Sequence, residues 1–471
     1  MNINSKISEF NADTHTPVGL YMALRNKHRK VCLLESNDYH SRQDSKSFIG
    51  LNPIVEIKQA GAILSIESSN TAKQVTFTKN EKHANQVQTI LDQFSFSHPD
   101  ENGFYGRMSF EYTMEDESNI IPGGSDLEIP SLHLFIFQYV IEIDHFTNKG
   151  RIIENSLTDS FHPSNSQDLL RNSSPQELPF ELVGNERSMI SDQEFLKNVE
   201  KGIEHCKKGD VFQLVLSNAF EQSFFGDDFQ VYRQLRRLNP SPYLFFFDFE
   251  DYRLFGSSPE AQLIVKKGRA EIHPIAGTIP KTGVEETDRM QLEFLLNDEK
   301  ENAEHTMLVD LARNDLSRDC KNIKVETYKQ VQEFSHVSHL VSKVCGEVKT
   351  KENFTQLCHS FPAGTLSGTP KPKALELIHL YEPKTRDYYG GTIGMIGANG
   401  DLNMVIVIRS ILSKNNTLHY RAGAGVVLDS DPQRETEEVH HKLRAVRTAV
   451  LQTASSFNQK NSINASKQQF I

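Results

Sequence analysis

GSSPEAQLIVKKGRAEIHPIAGTIPKTGVEETDRMQLEFLLNDEKENAE, residues 256–304, is the stretch from which the fold is read. It reads as a strand ending in a Gly/Ser/Pro turn, a second strand ending at Gly277-Thr278, and a long acidic helix. That order puts one carboxylate, Glu260, at a turn, and a backbone Gly-Thr pair at a strand end. Two helix carboxylates, Glu301 and Glu304, stand at i, i+3 on one helix face. An anionic small molecule held through a divalent metal needs parts of this kind.

Upstream, TPVGLYMALRN and NQVQTILDQF read as helices; KVCLLES, SFIGLNPIVEIKQ, AILSIES, KQVTFTK, GFYGRMSFEYTM and LHLFIFQYVIEID read as strands. Residues 158–186 are rich in Ser, Asn and Pro and read as a linker. Beyond it SDQEFLKNVEKGIEHCKK is a helix capped by Ser191 or Asp192, VFQLVLSNAFEQSF a strand, and PYLFFFDFE with YRLFGSS a hairpin. The acidic helix is expected to continue through TMLVDLARNDLSR. A connector then leads to a helix over EFSHVSHLVSKVCG, a Gly/Pro-rich loop and helix, antiparallel strands over 388–428, and a last helix with Pro432 at N1. Hairpins outnumber βαβ units. The fold class is therefore α+β, with large antiparallel sheets packed as a sandwich and helices on the outer faces. The expected division is a regulatory region over 1–185, a catalytic domain over 186–455 and a polar tail over 456–471.

At 471 residues, 37% apolar and 24% charged, the chain has the composition of a globular protein. Its net charge of −11, with no basic run, speaks against nucleic acid as a partner. Five scattered cysteines without a CxxC pair fit a reducing compartment rather than a disulfide framework or zinc site. The polar N-terminus has no h-region and no apolar run approaches ~18 residues, so a cytoplasmic protein with no membrane span is expected.

A second carboxylate pair lies near the C-terminus, where Glu435, Glu438 and Lys442 share a helix face at i, i+3, i+7. Two helices with paired carboxylates make a hard-oxygen site suited to Mg²⁺; solvated acidic faces are the other reading. Arg409, in the apolar MVIVIRSIL on the face of Val405 and Val407, either grips a ligand carboxylate or pairs with one of the protein's own acids. Gly423, Ala424 and Gly425 offer bare backbone to an anion, or a tight turn. Of His336 and His339, one is read as a core histidine and the other as a general acid or base.

Taken together, PIAGT (274–278), EKENAEHTMLVDLARNDLSR (299–318), FPAGTLSGTPKPKALE (361–376), YYGGTIGMIG (388–397), IVIRS (406–410) and AGAGVVLDSDPQRETEEVHHK (422–442) occur in an order that resembles the chorismate-utilising enzymes. LLES (33–36), SFIGLNP (47–53) and NPSPYLFF (239–246) extend the resemblance to nearly the whole chain, and toward the family's anthranilate-forming branch. The resemblance implies Mg²⁺ on Glu304 and Glu438 with Glu301 and Glu435 in support. It implies chorismate held by Arg409, Tyr389, Gly423–Gly425, Gly277 and Thr278, with Thr365 and Lys442 lining the pocket. Glu260 would protonate the departing ring hydroxyl, and His339 would assist proton transfer and loss of pyruvate. Isochorismate- and salicylate-forming relatives place a water-activating lysine where this chain has Gln213. Aminodeoxychorismate-forming ones place a nucleophilic lysine where it has Ala276, and alanine cannot attack. Ammonia is therefore the expected nucleophile, delivered by a separate glutamine amidotransferase subunit (component II), since no such domain follows residue 450. The resemblance also implies feedback inhibition by L-tryptophan bound at Glu35, Ser36, Lys46, Asn239, Pro242, Tyr243 and Leu244. Aminodeoxychorismate formation and a non-catalytic tryptophan sensor are the alternatives.

Overall fold

Two strands organise the sheets. Lys46–Ala60 and Leu132–Asp144 pair antiparallel along almost their whole length, from Lys46 opposite Asp144 to Gln59 opposite Leu132. The computed structural model describes all residues except 37–44, 69–70, 78–81, 115–119, 121–124, 159–160, 162–167, 172–174, 334–336 and 469–471. The register shifts between Pro53 and Val55, where proline has no N–H to give the ladder. On either side of that bulge the sheet takes different neighbours. Before it, Cys32–Ser36 pairs with the first strand; after it, Ile63–Ser68 does. Leu132–Asp144 likewise meets Gly103–Met108 at one end and Lys149–Ser156 at the other.

Two arms of sheet leave this pair. One runs through Gly103–Met108, Thr392–Gly397, Leu402–Ile406, Ala261–Lys266 and Arg269–Ile272 to Val337–Val348, which also pairs with Ile275–Pro280 and Cys320–Glu333. The other runs through Cys32–Ser36, Tyr243–Asp248, Arg253–Ser258, Ser410–Lys414, Thr417–Val426 and Gln213–Gly226 to Phe180–Ser188. The arms share one apolar core, in which Phe135 and Phe137 join Phe245, Phe246, Phe255, Ile393, Val405 and Ile411. Truncating one such phenylalanine to alanine costs about 3–5 kcal/mol. Helices Asp192–Lys208, Phe229–Leu238 and Pro432–Gln468 pack on the second arm, and Glu299–Ser317 packs on the end of the first. The expected α+β architecture of antiparallel sheets is present.

Several local readings need correction. EFSHVSHLVSKVCG is not a helix: Val337–Val348 is a strand paired on both faces of its ladder. A continuous apolar run carries no period that separates helix from strand, so its neighbours decide. The connector before it is the strand Cys320–Glu333. His336 lies outside the described residues. The acidic helix is two helices, Glu285–Asn297 and Glu299–Ser317, because Asp298 leaves the helical region and its carboxylate accepts the Glu301 N–H at 2.9 Å. Residue 185 falls inside Phe180–Ser188, and strands from before and after it share one sheet. The final helix runs through the polar tail to Gln468.

Candidate active site

Glu260 follows Pro259 in the turn between Arg253–Ser258 and Ala261–Lys266. Thr365 Oγ1, on the one-turn helix Gly364–Ser367, donates to Glu260 Oε1 at 3.1 Å. The carboxyl is half-buried in a cleft. Burial lifts it to about 7, against the Thr365 hydrogen bond and the positive charges of Arg409 and Lys442. A carboxyl poised there can give a proton at neutral pH, which an ordinary glutamate cannot.

Arg409 does not continue an apolar strand. It links Leu402–Ile406 to Ser410–Lys414 with φ +49°, its carbonyl accepting from Ser257 N at 3.2 Å. The left-handed backbone turns its side chain off the face of Val405 and Val407. No hydrogen bond or ion pair occupies its guanidinium among the described residues, so the internal ion pair is not formed. Burial lowers its basicity and the charge of Glu260 acts against that.

His339 is buried in Val337–Val348, opposite Thr278. Its Nδ1 donates to Gly277 O at 3.3 Å, which puts the lone pair on Nε2. Burial and then Arg409 push the imidazole down to about 4, so it is neutral at physiological pH. Gly277 itself has φ +66°. A Cβ there would lie 2.5 Å from Leu295 Cδ1 and 3.3 Å from Glu301 Oε2, so conformation and space both call for glycine.

Gly423–Gly425 is a strand edge rather than a tight turn. Gly423, Ala424 and Gly425 stand opposite Ser217, Leu216 and Val215. Pairing on the other side ends at Tyr420 with Ile411, leaving the later edge bare of strands. Lys442 Nζ donates to Gly423 O at 2.9 Å from that bare side. A residue's N–H and C=O point the same way in an antiparallel ladder, so the Gly423 and Gly425 N–H groups face the same space. Tyr389 is buried and its N–H donates to Arg386 O at 3.0 Å.

The four metal candidates divide. Glu304 accepts from Gln213 Nε2 at 3.0 Å, and Gln213 lies against Gly425, where a Cβ would come within 2.9 Å of the amide nitrogen. Glu438 pairs with Lys442 at 2.7 Å. These two carboxylates therefore flank the glycine edge from two helices. Glu301 lies at Gly277, and the buried Glu435 accepts from Ser430 Oγ at 2.7 Å. Among the described residues no group of three or more His, Cys, Asp or Glu side chains is set to hold a metal. Two carboxylates on facing elements still fit Mg²⁺, which takes one or two protein carboxylates and fills its octahedron with water and substrate.

Residues 31–448 match the family described as chorismate binding enzyme. The chain belongs to that family. Among the relatives of this chorismate-binding enzyme, anthranilate synthase component 1 of Bacillus subtilis is 34% identical, covering 96% of this chain and 93% of the relative. That of Aquifex aeolicus is 32% identical, covering 95% of each. The crystal structure of anthranilate synthase component I from Streptococcus pneumoniae superposes with a TM-score of 0.75 at 30% identity, covering 93% of this chain and 98% of that one. The menaquinone-specific isochorismate synthase of Escherichia coli, at 19% identity and a TM-score of 0.74, shares the fold.

A second cluster in this chorismate-binding enzyme gathers the LLES and NPSPY residues. Ser36 stands opposite Tyr243, and Glu35 opposite the buried Leu244, on adjacent strands. Pro242 leads into the strand that carries them. Glu35 accepts from Tyr232 OH at 2.6 Å and from Arg236 Nε and Nη2 at 2.9 Å, so its carboxylate is held within the wall. Lys46 pairs with Glu142 at 2.9 Å. Asn239 Nδ2 is buried with no hydrogen-bond partner among the described residues, an unmet donor of the kind a ligand satisfies. Tyr243 in turn stands opposite Ser258, two residues before Glu260.

Sequence reading missed the buried pair of Glu382 and Arg386. A glutamate and an arginine in a loop carry no periodicity, and nothing local distinguishes them from surface residues.

Proposed function

We propose that this chain converts chorismate and ammonia to anthranilate and pyruvate, as the large subunit of a Mg²⁺-dependent lyase that receives ammonia from glutamine through an amidotransferase subunit. The observation that carries this reading is Glu260: a carboxyl near neutrality, hydrogen-bonded by Thr365, between two cations and beside no candidate lysine nucleophile at 213 or 276. Arg409, Tyr389, Gly277, Thr278 and the N–H groups of Gly423 and Gly425 would hold the substrate's carboxylates and ring substituents, with Lys442 closing one side. Glu304 and Glu438, backed by Glu301 and Glu435, would hold Mg²⁺, which when bound supplies positive charge for a carboxylate. Glu260 gives its proton to the ring hydroxyl as the C–O bond breaks and ammonia adds to C2. The neutral imidazole of His339 then takes the proton from C2 as the ring C–O bond to the enolpyruvyl group breaks, and a proton delivered to the departing enolpyruvate's methylene carbon makes it pyruvate.

The purified chain incubated with chorismate, Mg²⁺ and ammonium should form anthranilate, identified by fluorescence and mass. Isochorismate, salicylate or aminodeoxychorismate as the main product would refute the reading. Arg409→Lys keeps the charge but loses the two-pronged grip, worth about 2 kcal/mol, so kcat/KM for chorismate should fall ~30-fold. An effect under threefold would remove Arg409 from the carboxylate site.

L-Tryptophan is the effector we assign to the second cluster, with Asn239 as donor and Glu35 fixing the wall. Its placement, on the strand that pairs with Arg253–Ser258 and so with the strand leading into the Glu260 turn, supports feedback on the acid. Ser36→Arg should fill the space opposite Tyr243, leaving turnover intact and abolishing inhibition in a tryptophan titration. Retained inhibition would show that tryptophan binds elsewhere.

A further inference from the structure

Arg386 is almost fully buried, and its guanidinium makes four hydrogen bonds to three separate segments. Nε donates to Glu382 Oε2 at 2.9 Å and Nη2 to Glu382 Oε1 at 2.5 Å. Nη1 donates to Leu366 O at 2.6 Å, and Nη2 also to Val215 O at 2.8 Å. Glu382 accepts in addition from the N–H and Oγ of Ser217, both at 2.9 Å. The guanidinium carbon lies 4.4 Å from the Phe110 ring centroid and 5.9 Å from that of Tyr389.

Each anchored group adjoins a site residue. Leu366 follows Thr365, the donor to Glu260. Val215 and Ser217 stand opposite Gly425 and Gly423. Tyr389 receives the guanidinium near its ring and gives its N–H to Arg386 O. One cation thus ties together, from behind, the helix that presents Thr365, the strand that backs the glycine edge, and the tyrosine. A buried charge is costly to keep unless its donors are met. A planar fork with five N–H donors can span these acceptors at once, whereas an ammonium is a single point.

We propose that Arg386, locked by Glu382, is a positioning residue for the chorismate reaction, setting the separation between the Thr365–Glu260 pair and the Gly423–Gly425 edge. This rests on the reading of that site given above. The role passes through Thr365, so it is tested by coupling rather than by loss alone. Arg386→Lys should lower kcat at least tenfold with KM for chorismate changed less than threefold. The alkaline limb of its pH profile should move upward, as in Thr365→Val, because losing the threonine hydrogen bond removes an influence that holds the Glu260 carboxyl down. In the Thr365→Val background, Arg386→Lys should cost less than threefold further.

Independent, multiplicative losses or an unmoved pH limb would overturn the positioning role. Glu382→Gln, which keeps the shape and frees one side of the fork, gives the same readouts if Arg386→Lys does not fold: a kcat loss of threefold to tenfold that vanishes in the Thr365→Val background supports the proposal, and a loss that persists there, or no loss, refutes it. Wild-type product identity is read in parallel. A product other than anthranilate would overturn the functional reading while leaving the coupling measurable on that reaction; anthranilate with additive losses would overturn only the positioning role.

Discussion

Glu260→Gln should lower kcat for anthranilate formation ~10³-fold, about 4 kcal/mol of barrier, with KM for chorismate little changed. The amide keeps the volume and can still accept from Thr365, so the substitution removes the proton and little else. The pH dependence gives the sharper test. With the carboxyl raised to about 7, its acid form is present below that pH and declines tenfold per unit above it. His339, pushed down to about 4, is neutral throughout the range above 4. Wild-type kcat/KM should therefore be highest between these values, with an alkaline limb that Glu260→Gln abolishes. Stability supplies an independent check. A carboxyl whose folded pKa is raised contributes stability fully present below its unfolded pKa and lost as pH rises through about 7. Glutamine never ionises, so the variant should melt at a higher temperature than wild type at pH 8 and at a similar temperature at pH 4. More than a tenth of wild-type turnover, or an unaltered alkaline limb, would show that another group is the acid.

Glu438→Gln should abolish Mg²⁺-dependent turnover and weaken Mg²⁺ binding, read by calorimetry, at least tenfold, because it deletes one of the two charges that flank the glycine edge. The fold should not suffer. Glu438 and Lys442 are each nearly half exposed, and such a pair contributes about 0–1 kcal/mol. The competing reading is that Glu438 serves only as the partner of Lys442. In that case Lys442→Met would reproduce the Glu438→Gln phenotype while leaving Mg²⁺ binding as in wild type. Unchanged metal dependence in Glu438→Gln would place the ion elsewhere.

How far the site was legible varied with the kind of signal. Glu260 is conspicuous as a carboxylate in a Gly/Ser/Pro turn, and Gly277 as a glycine at a strand end; the folded chain gives the physical grounds for both, in a lifted carboxyl and a positive φ crowded by Leu295 and Glu301. Arg409 stands out in the sequence as a cation among apolar neighbours, yet its backbone turns where the sequence suggests a strand. The Gly423–Gly425 segment suggested bare backbone, but a turn and an unpaired strand edge look alike from composition. Arg386 and Glu382 left no trace, because their four anchored partners lie at 215, 217, 366 and 389.

What the residues determine by themselves is whatever depends on near neighbours in the chain. Ser191 caps its helix through the Glu194 N–H, Pro432 opens another, and the short polar turn at Glu250-Asp251 folds 243–248 back on 253–258 as a hairpin. The absence of an amine at Ala276 and Gln213 is likewise a property of the sequence alone. Tertiary structure decided the rest. Val337–Val348 is a strand because Ile275–Pro280 and Cys320–Glu333 supply its hydrogen bonds on both sides, and an apolar run accepts either secondary structure until such partners exist. The carboxyl of Glu260 is lifted by burial against the pull of Arg409, and the imidazole of His339 is lowered by burial and by Arg409, which the fold brings in from a distant part of the chain. Charge state follows the local dielectric and nearby charges, and those belong to the folded chain rather than to any segment of it.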